Sequence, residues 1–252
     1  MKQKTVLLAT AVLLLAIFAT ATLLYKRGQA NESARLATTH SNHLIRDYSP
    51  TLGDTDAPVV IVEFFDPACG TCQAFHEPVK HLLEEHPGKL KLVLRYAPFQ
   101  VGSERIVVLL EAARLQDKFW PVLDALMDTQ EKWKPLHEAE LELAMKQIGG
   151  LGLDLDRLRR DMNDPEIARR LQQDQDDANR LKVDTTPEFY VNGKPLPGFG
   201  FNVLKQTVEA ALRGRRRRND GSRGRGTRHR ARFPARRRRP ERGSGGGVVR
   251  AR

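Results

Sequence analysis

Cys69 and Cys72 are the only cysteines in a chain of 252 residues, and only Gly70 and Thr71 stand between them. A Cys-x-x-Cys pair can exchange disulfides. The pair follows the apolar run Val59-Val-Ile-Val-Glu-Phe-Phe65. Pro67, Ala68 and Gly70 break that run, and Phe75, Val79, Leu82 and Leu83 then recur at helical spacing. A strand thus delivers the two sulfurs to the mouth of a helix. Free N–H groups and the positive dipole end favour an anion there. A thiol at such a place falls from ~8.5 into a range of ~3.5–7.5. Cys69, the outer cysteine, is the expected nucleophile. Cys72, one turn deeper, is the expected resolving thiol, and Gly70 and Thr71 are the expected tuning residues of the redox centre.

Other chemistry is open to the same residues. A structural disulfide across two residues would constrain the unfolded chain very little. Zinc wants four ligands, and the sequence has no second cysteine pair and no His-x-x-x-His. His76 with the two thiols would make a soft copper site. Sulfur exchange itself needs neither metal nor cofactor. Glu63, six residues before Cys69, is an acid in a strand of buried type. Either it is solvated at an edge, or it lies beneath the cysteines with a raised pKa and relays a proton to Cys72.

The elements that must position these residues follow from pattern. Pro58–Phe65 reads as a central strand and Cys69–Glu85 as a helix kinked at Pro78. Lys89–Tyr96 alternates as a second strand, which makes a parallel strand–helix–strand unit. Leu44–Pro50 is expected to pair as a short first strand. Arg95 either pairs with Glu63 or is solvated at the strand end. Residues 103–182 read as a helical insertion. Its helices are expected from Ser103, over Phe119–Met127, Leu136–Ile148, Asp154–Met162 and Pro165–Leu181, with Trp120, Met127 and Trp133 as its core. Strand character returns at Pro187–Val191. Asn192-Gly193 is a hairpin turn, Lys194-Pro195-Leu196 the return strand, and Asn202–Leu212 a last helix.

Both chain ends have unusual composition. Thr5–Tyr25 is a run of 21 residues without charge, flanked by Lys2, Lys4, Lys26 and Arg27. At 1.5 Å per residue it spans roughly 30 Å, a bilayer core. Residues 1–27 therefore read as a membrane anchor or signal segment, with retention favoured over cleavage after Ala19-Thr20-Ala21. The polar residues 28–51 read as a linker in which His40 and His43 are exposed. Residues 213–252 hold 17 arginines, no lysine and two acids. They carry +15 of a total of +11, so residues 1–212 carry −4. This arginine-rich tail cannot bury a core and is expected to be disordered. Export argues against nucleic acid as its target and leaves anionic lipid or envelope polysaccharide.

Phe64-Phe65-Asp66-Pro67-x-Cys69-x-x-Cys72, the helical insertion, and Thr185-Thr186-Pro187-Glu188-Phe189-Tyr190-Val191-Asn192-Gly193 together resemble the DsbA-type thioredoxin-fold disulfide oxidoreductases. Arg95-Tyr96-x-Pro98 and Lys118-Phe119-Trp120 match the same pattern. The resemblance covers residues 52–212. It implies a thioredoxin-like α/β fold with an inserted helical subdomain, and a cis Pro187 against the cysteines. It further implies a Thr186 backbone that pairs with an extended client segment, and Glu63 as a buried acid. Exported client proteins and a membrane redox partner of the DsbB type are the implied partners. The implied location is the cytoplasmic membrane, single-pass, with the catalytic domain facing the periplasm or exterior. Gly70-Thr71 lacks the histidine of the family's strong oxidants, so a moderate oxidant is expected. A reductase or isomerase of the same fold, and a tethered copper chaperone using Cys69, Cys72 and His76, are the alternatives.

Overall fold

Two parallel seven-residue strands form the centre of the molecule, because each is apolar on both faces and can be covered from both sides. The computed structural model describes residues 13–18, 20–22 and 41–225. After a short helix α1 (Ser41–Leu44) come β1 (Thr51–Gly53), β2 (Val59–Phe65), α2 (Gly70–Glu84) and β3 (Leu90–Tyr96). The insertion follows as α3 (Ser103–Arg114), α4 (Phe119–Asp128), α5 (Gln130–Trp133), a 3-10 turn at Pro135–His137, α6 (Leu141–Gln147), α7 (Leu155–Asp161) and α8 (Pro165–Leu181). Strands β4 (Glu188–Val191) and β5 (Lys194–Pro195) and the helix α9 (Phe201–Arg225) complete the order.

The sheet runs β1-β3-β2-β4-β5. β2 and β3 are parallel with Val59 opposite Leu90 and Phe65 opposite Tyr96, and the other neighbours are antiparallel. Alternation along β2 puts Val59, Ile61 and Phe65 in the core shared with α2 and the insertion, and Val62 and Phe64 in the core under α8. Glu63 has the parity of the first set and so lies on the α2 face. α2 passes through Pro78 as one helix. Met127 and Trp133 are core residues of the insertion, as expected, while Trp120 is half-buried and donates from Nε1 to the Thr51 carbonyl at 3.2 Å.

Several sequence expectations are corrected. Leu44–Pro50 is not a strand: the pairing strand is Thr51–Gly53, and Leu44 is buried beneath α8. Residues 41–50 therefore pack as part of the fold, and the spacer reading of 28–51 does not hold for them. His43 is half-buried, not exposed, with Nδ1 2.6 Å from Asp177 Oδ1. His40 lies outside the described residues. The helix expected over Leu136–Ile148 begins only at Leu141. Leu136 takes φ 52° and is 94% exposed, because Pro135 cannot continue the preceding helix.

Arg95 bonds neither Glu63 nor solvent. The register sets Glu63 beside Leu94 and Arg95 beside Phe64, so the two charges point to opposite faces. Arg95 is fully buried, and its Nη2 donates to Asp174 at 2.8 Å and to Asp177 at 2.7 Å, both on α8. Arg46 and His43 close on Asp177, and Tyr48 donates to Asp174 at 2.7 Å.

At the chain ends, α9 continues to Arg225, so the tail's first residues are helical in backbone; arginine is a good helix former. Residues 216–252 form a unit apart from residues 1–215, and those after 225 lie outside the described residues. Among the described residues no helix is long and apolar enough to cross a membrane. Residues 13–18 and 20–22 of the expected anchor are helical, and the rest of Thr5–Tyr25 lies outside the described residues.

Removing one member of a buried ion network strands the others in a dry site. Arg95→Met should cost about 3–5 kcal/mol of stability, read from urea unfolding. A loss of a few tenths would mean that Arg46 alone compensates both aspartates.

Candidate active site

The site is built where β2 ends. Asp66 follows the strand, and both of its carboxylate oxygens are used. One accepts from Ala68 N at 2.8 Å and from the Ser103 hydroxyl; the other accepts from Phe99 N at 2.7 Å and Gln100 N at 2.8 Å. Burial pushes Asp66 up and these four donors oppose it. Asp66 thereby joins the turn before the cysteines to the loop after β3. Gly102 in that loop has φ 78°, and a Cβ there would strike the Ala139 carbonyl, so the close loop–insertion contact requires glycine.

Cys69 is the N-cap of α2, and Gly70 and Thr71 form its first turn. Both cysteines are free thiols. Cys72 is fully buried, whereas Cys69 keeps 9% of its surface. The Cys69 sulfur lies 3.3 Å from the Thr186 carbonyl, to which it donates when protonated, and the Thr186–Pro187 peptide is cis. The helix mouth and the late proline loop, 117 positions apart, thus meet at one sulfur.

The two thiols are driven in opposite directions. The Cys72 side chain, donating to Cys69, is the largest influence that lowers Cys69, to about 5. Burial opposes it, and the Thr186 side chain and the backbone N–H groups of Cys72 and Thr71 add to it. Cys72 is pushed well up by burial first, then by its bond to Cys69 and by the charges of Glu63 and Cys69. Glu63, 5% exposed beneath the pair, is raised to about 8 by burial and by the Cys69 charge. At neutral pH this leaves one thiolate, one thiol and one protonated acid. A value of about 5 lies within the range expected of a thiol at a helix mouth; with no histidine between the cysteines, the Cys72 thiol and the backbone amides are among the donors that lower it.

Residues 67–69 are held from the insertion. Gln130, buried on α5, donates from Nε2 to the Pro67 carbonyl at 2.9 Å and to the Cys69 carbonyl at 3.1 Å. Lys134 donates from Nζ to the Ala68 carbonyl at 2.7 Å. Sequence reasoning missed both, since nothing in a polar helix sixty residues downstream marks it as touching the cysteines. Asp66 was visible as part of the motif but was given no role.

His76 does not join the cysteines. Its Nε2 lies 2.8 Å from Asp124 Oδ1, and the potential ligands it gathers with are Glu77 and Asp124. Lys80 bonds both of those acids at 2.9 Å, so both carboxylates already have a cationic partner. The three-ligand copper site is not formed.

A helix-covered sheet interrupted by a helical insertion, with a cysteine pair at a helix mouth against a cis-proline, defines a thioredoxin-fold protein of the DsbA type. Residues 46–209 match the thioredoxin family described as Thioredoxin, and the chain belongs to that family. It is 30% identical over 171 residues to a probable disulfide bond formation protein D of Bacillus cereus, covering 65% of this chain and 78% of that one. It is 32% identical over 179 residues to a Na(+)/H(+) antiporter NhaA 3 of Salinispora tropica, covering 68% of this chain but only 26% of that relative's length. A crystal structure of a thioredoxin-like oxidoreductase from Silicibacter pomeroyi superposes with a TM-score of 0.60 at 29% identity, covering 70% of this chain and 97% of that one.

Iodoacetamide alkylation of the reduced chain should show a midpoint near pH 5 for Cys69. Cys72→Ala removes the leading donor and should move that midpoint upward; an unmoved midpoint would transfer the credit to the backbone amides. A thiol lowered in the fold adds stability above its unfolded value and loses it as pH falls through its folded value. The reduced chain should therefore gain on the disulfide form as pH rises from 5 to 8, measured by paired denaturant unfolding.

Proposed function

We propose that the chain is a thiol:disulfide oxidoreductase that introduces disulfides into exported client proteins. The observation that carries this is the Cys69 sulfur, pinned between the first turn of α2 and the Thr186 carbonyl beside cis-Pro187, with Cys72 buried behind it. The relatives named disulfide bond formation proteins support the direction of transfer.

In the oxidised pair a client thiolate attacks Cys69 Sγ. The Cys69–Cys72 bond breaks, its electron pair goes to Cys72, and Glu63 gives Cys72 a proton. A second client thiolate attacks the client sulfur of the mixed disulfide. The client disulfide forms, and Cys69 leaves as the thiolate that its surroundings favour. Two electrons have passed from client to protein. Thr186, with its backbone beside the sulfur, pairs with the extended client segment, and Pro187 keeps that edge facing the cysteines. Gly70 and Thr71 contribute backbone, with the Thr71 amide among the donors. A disulfide-carrying membrane partner of the DsbB type returns the pair to its oxidised form. The apolar run Thr5–Tyr25 supports single-pass anchorage with the catalytic domain outside the cytoplasmic membrane.

Cys72→Ser should accumulate mixed disulfides with clients on non-reducing gels of cells, and Cys69→Ser should not. Failure of Cys72→Ser to trap any client would count against client oxidation, and a strongly reducing potential would favour the reductase of the same fold. Glu63→Gln should slow formation of the mixed disulfide, the step in which Cys72 leaves and takes a proton, several-fold with the fold retained, followed by rapid quench; an unchanged rate would remove Glu63 from the proton path.

A further inference from the structure

The residues between the cysteines carry no cation, yet one stands against the turn that leads into them. Lys134 follows α5 directly and is half-buried. Its ammonium donates to the Ala68 carbonyl at 2.7 Å and lies 3.4 Å from Gln130 Oε1. That carbonyl belongs to the same peptide unit as the Cys69 nitrogen, so the charge is bonded to the nucleophile's own peptide plane. Lys80 and Lys205, by contrast, each hold a carboxylate at 2.9 Å or less. Among the described residues Lys134 has no carboxylate partner.

The placement is enforced. Gln130 is 3% exposed and grips the carbonyls on either side of Ala68, those of Pro67 and Cys69, while its own Oε1 faces the ammonium. Trp133, fully buried between them in sequence, fixes this short helix by donating to the Leu126 carbonyl at 2.8 Å. Three successive carbonyls of the active-site turn are thus bound by one segment of the insertion.

We propose that Lys134 is the tuning cation of the redox centre: its uncompensated ammonium, held on the Ala68 carbonyl by Gln130, favours the Cys69 thiolate and so makes the Cys69–Cys72 disulfide a stronger oxidant. This rests on the oxidoreductase reading and names a residue that acts through Cys69 without touching the client. The physical reason is that only the reduced form carries the thiolate. A charge that stabilises the thiolate therefore stabilises the reduced form and leaves the disulfide unaffected. In a partly dry site such a charge is screened far less than in water. The other ionisable groups facing the sulfur are Cys72 from α2 and Glu63 from β2, both protonated at neutral pH, and Asp66 is occupied by four donors.

The test uses the full chain and two readings: thiolate absorbance against pH, and equilibrium with reduced and oxidised glutathione. In Lys134→Met the Cys69 midpoint should rise by about one pH unit. The equilibrium should shift about tenfold toward the disulfide, a potential about 30 mV more reducing. Lys134→Arg should stay within twofold of the unmodified chain. Lys134→Gln, which keeps a donor for Ala68 without the charge, should behave like Lys134→Met. Wild-type values in Lys134→Met, or equal shifts in Lys134→Met and Lys134→Arg, would overturn the assignment. An ordinary thiol midpoint in the unmodified chain would instead remove the oxidoreductase reading on which it stands.

Discussion

The structure depends on an unequal solvation of two sulfurs that are one helical turn apart. Cys69 caps α2, where amides without helical partners are available, and it retains contact with solvent. Cys72 points into the core, where its charged form has no water and meets Glu63. Chemically equal side chains thus become one thiolate and one thiol, and each strengthens the other's state because the thiol donates to the thiolate. Most of the surrounding architecture can be understood as keeping that difference in place.

The helical insertion is part of this work. Its first helix supplies Ser103 to Asp66, and α5 with Lys134 takes the carbonyls of residues 67–69. The four-residue turn between strand and helix would otherwise leave those acceptors to water. Holding them from a separate subdomain fixes the helix mouth relative to the proline loop, which approaches from the opposite edge of β2. The redox centre is therefore a junction of three segments, with the central strand beneath them.

The opposite face of the sheet solves a different problem. Arg95 is carried inward by strand parity, and burying a guanidinium is costly unless it is paired and fully bonded. Asp174 and Asp177 from α8 provide that pairing, and the segment 43–48 completes it through His43, Arg46 and Tyr48. The network fastens the last helix of the insertion back onto β3 by ion pairs, while its first helix is held by the Ser103 hydroxyl on Asp66, just after β2. The acids of α8, which look like an exposed charged helix from composition, are in part this buried clasp.

The sequence by itself determined the local parts. An apolar run, a Pro-Ala break and a helical repeat were enough to set a thiol at a helix start, because strand and helix periods depend on near neighbours. The Asn192-Gly193 turn was legible for the same reason. Tertiary structure decided which distant groups act on the sulfurs. Gln130 and Lys134 carry no periodic signal, and the face to which Arg95 turned depended on a register between strands. His76 had a spacing compatible with the thiols, yet one helix face took it to Asp124. Chain-local chemistry sets what a residue can do, while the dry, converging contacts that shift its proton affinity exist only once remote segments have packed.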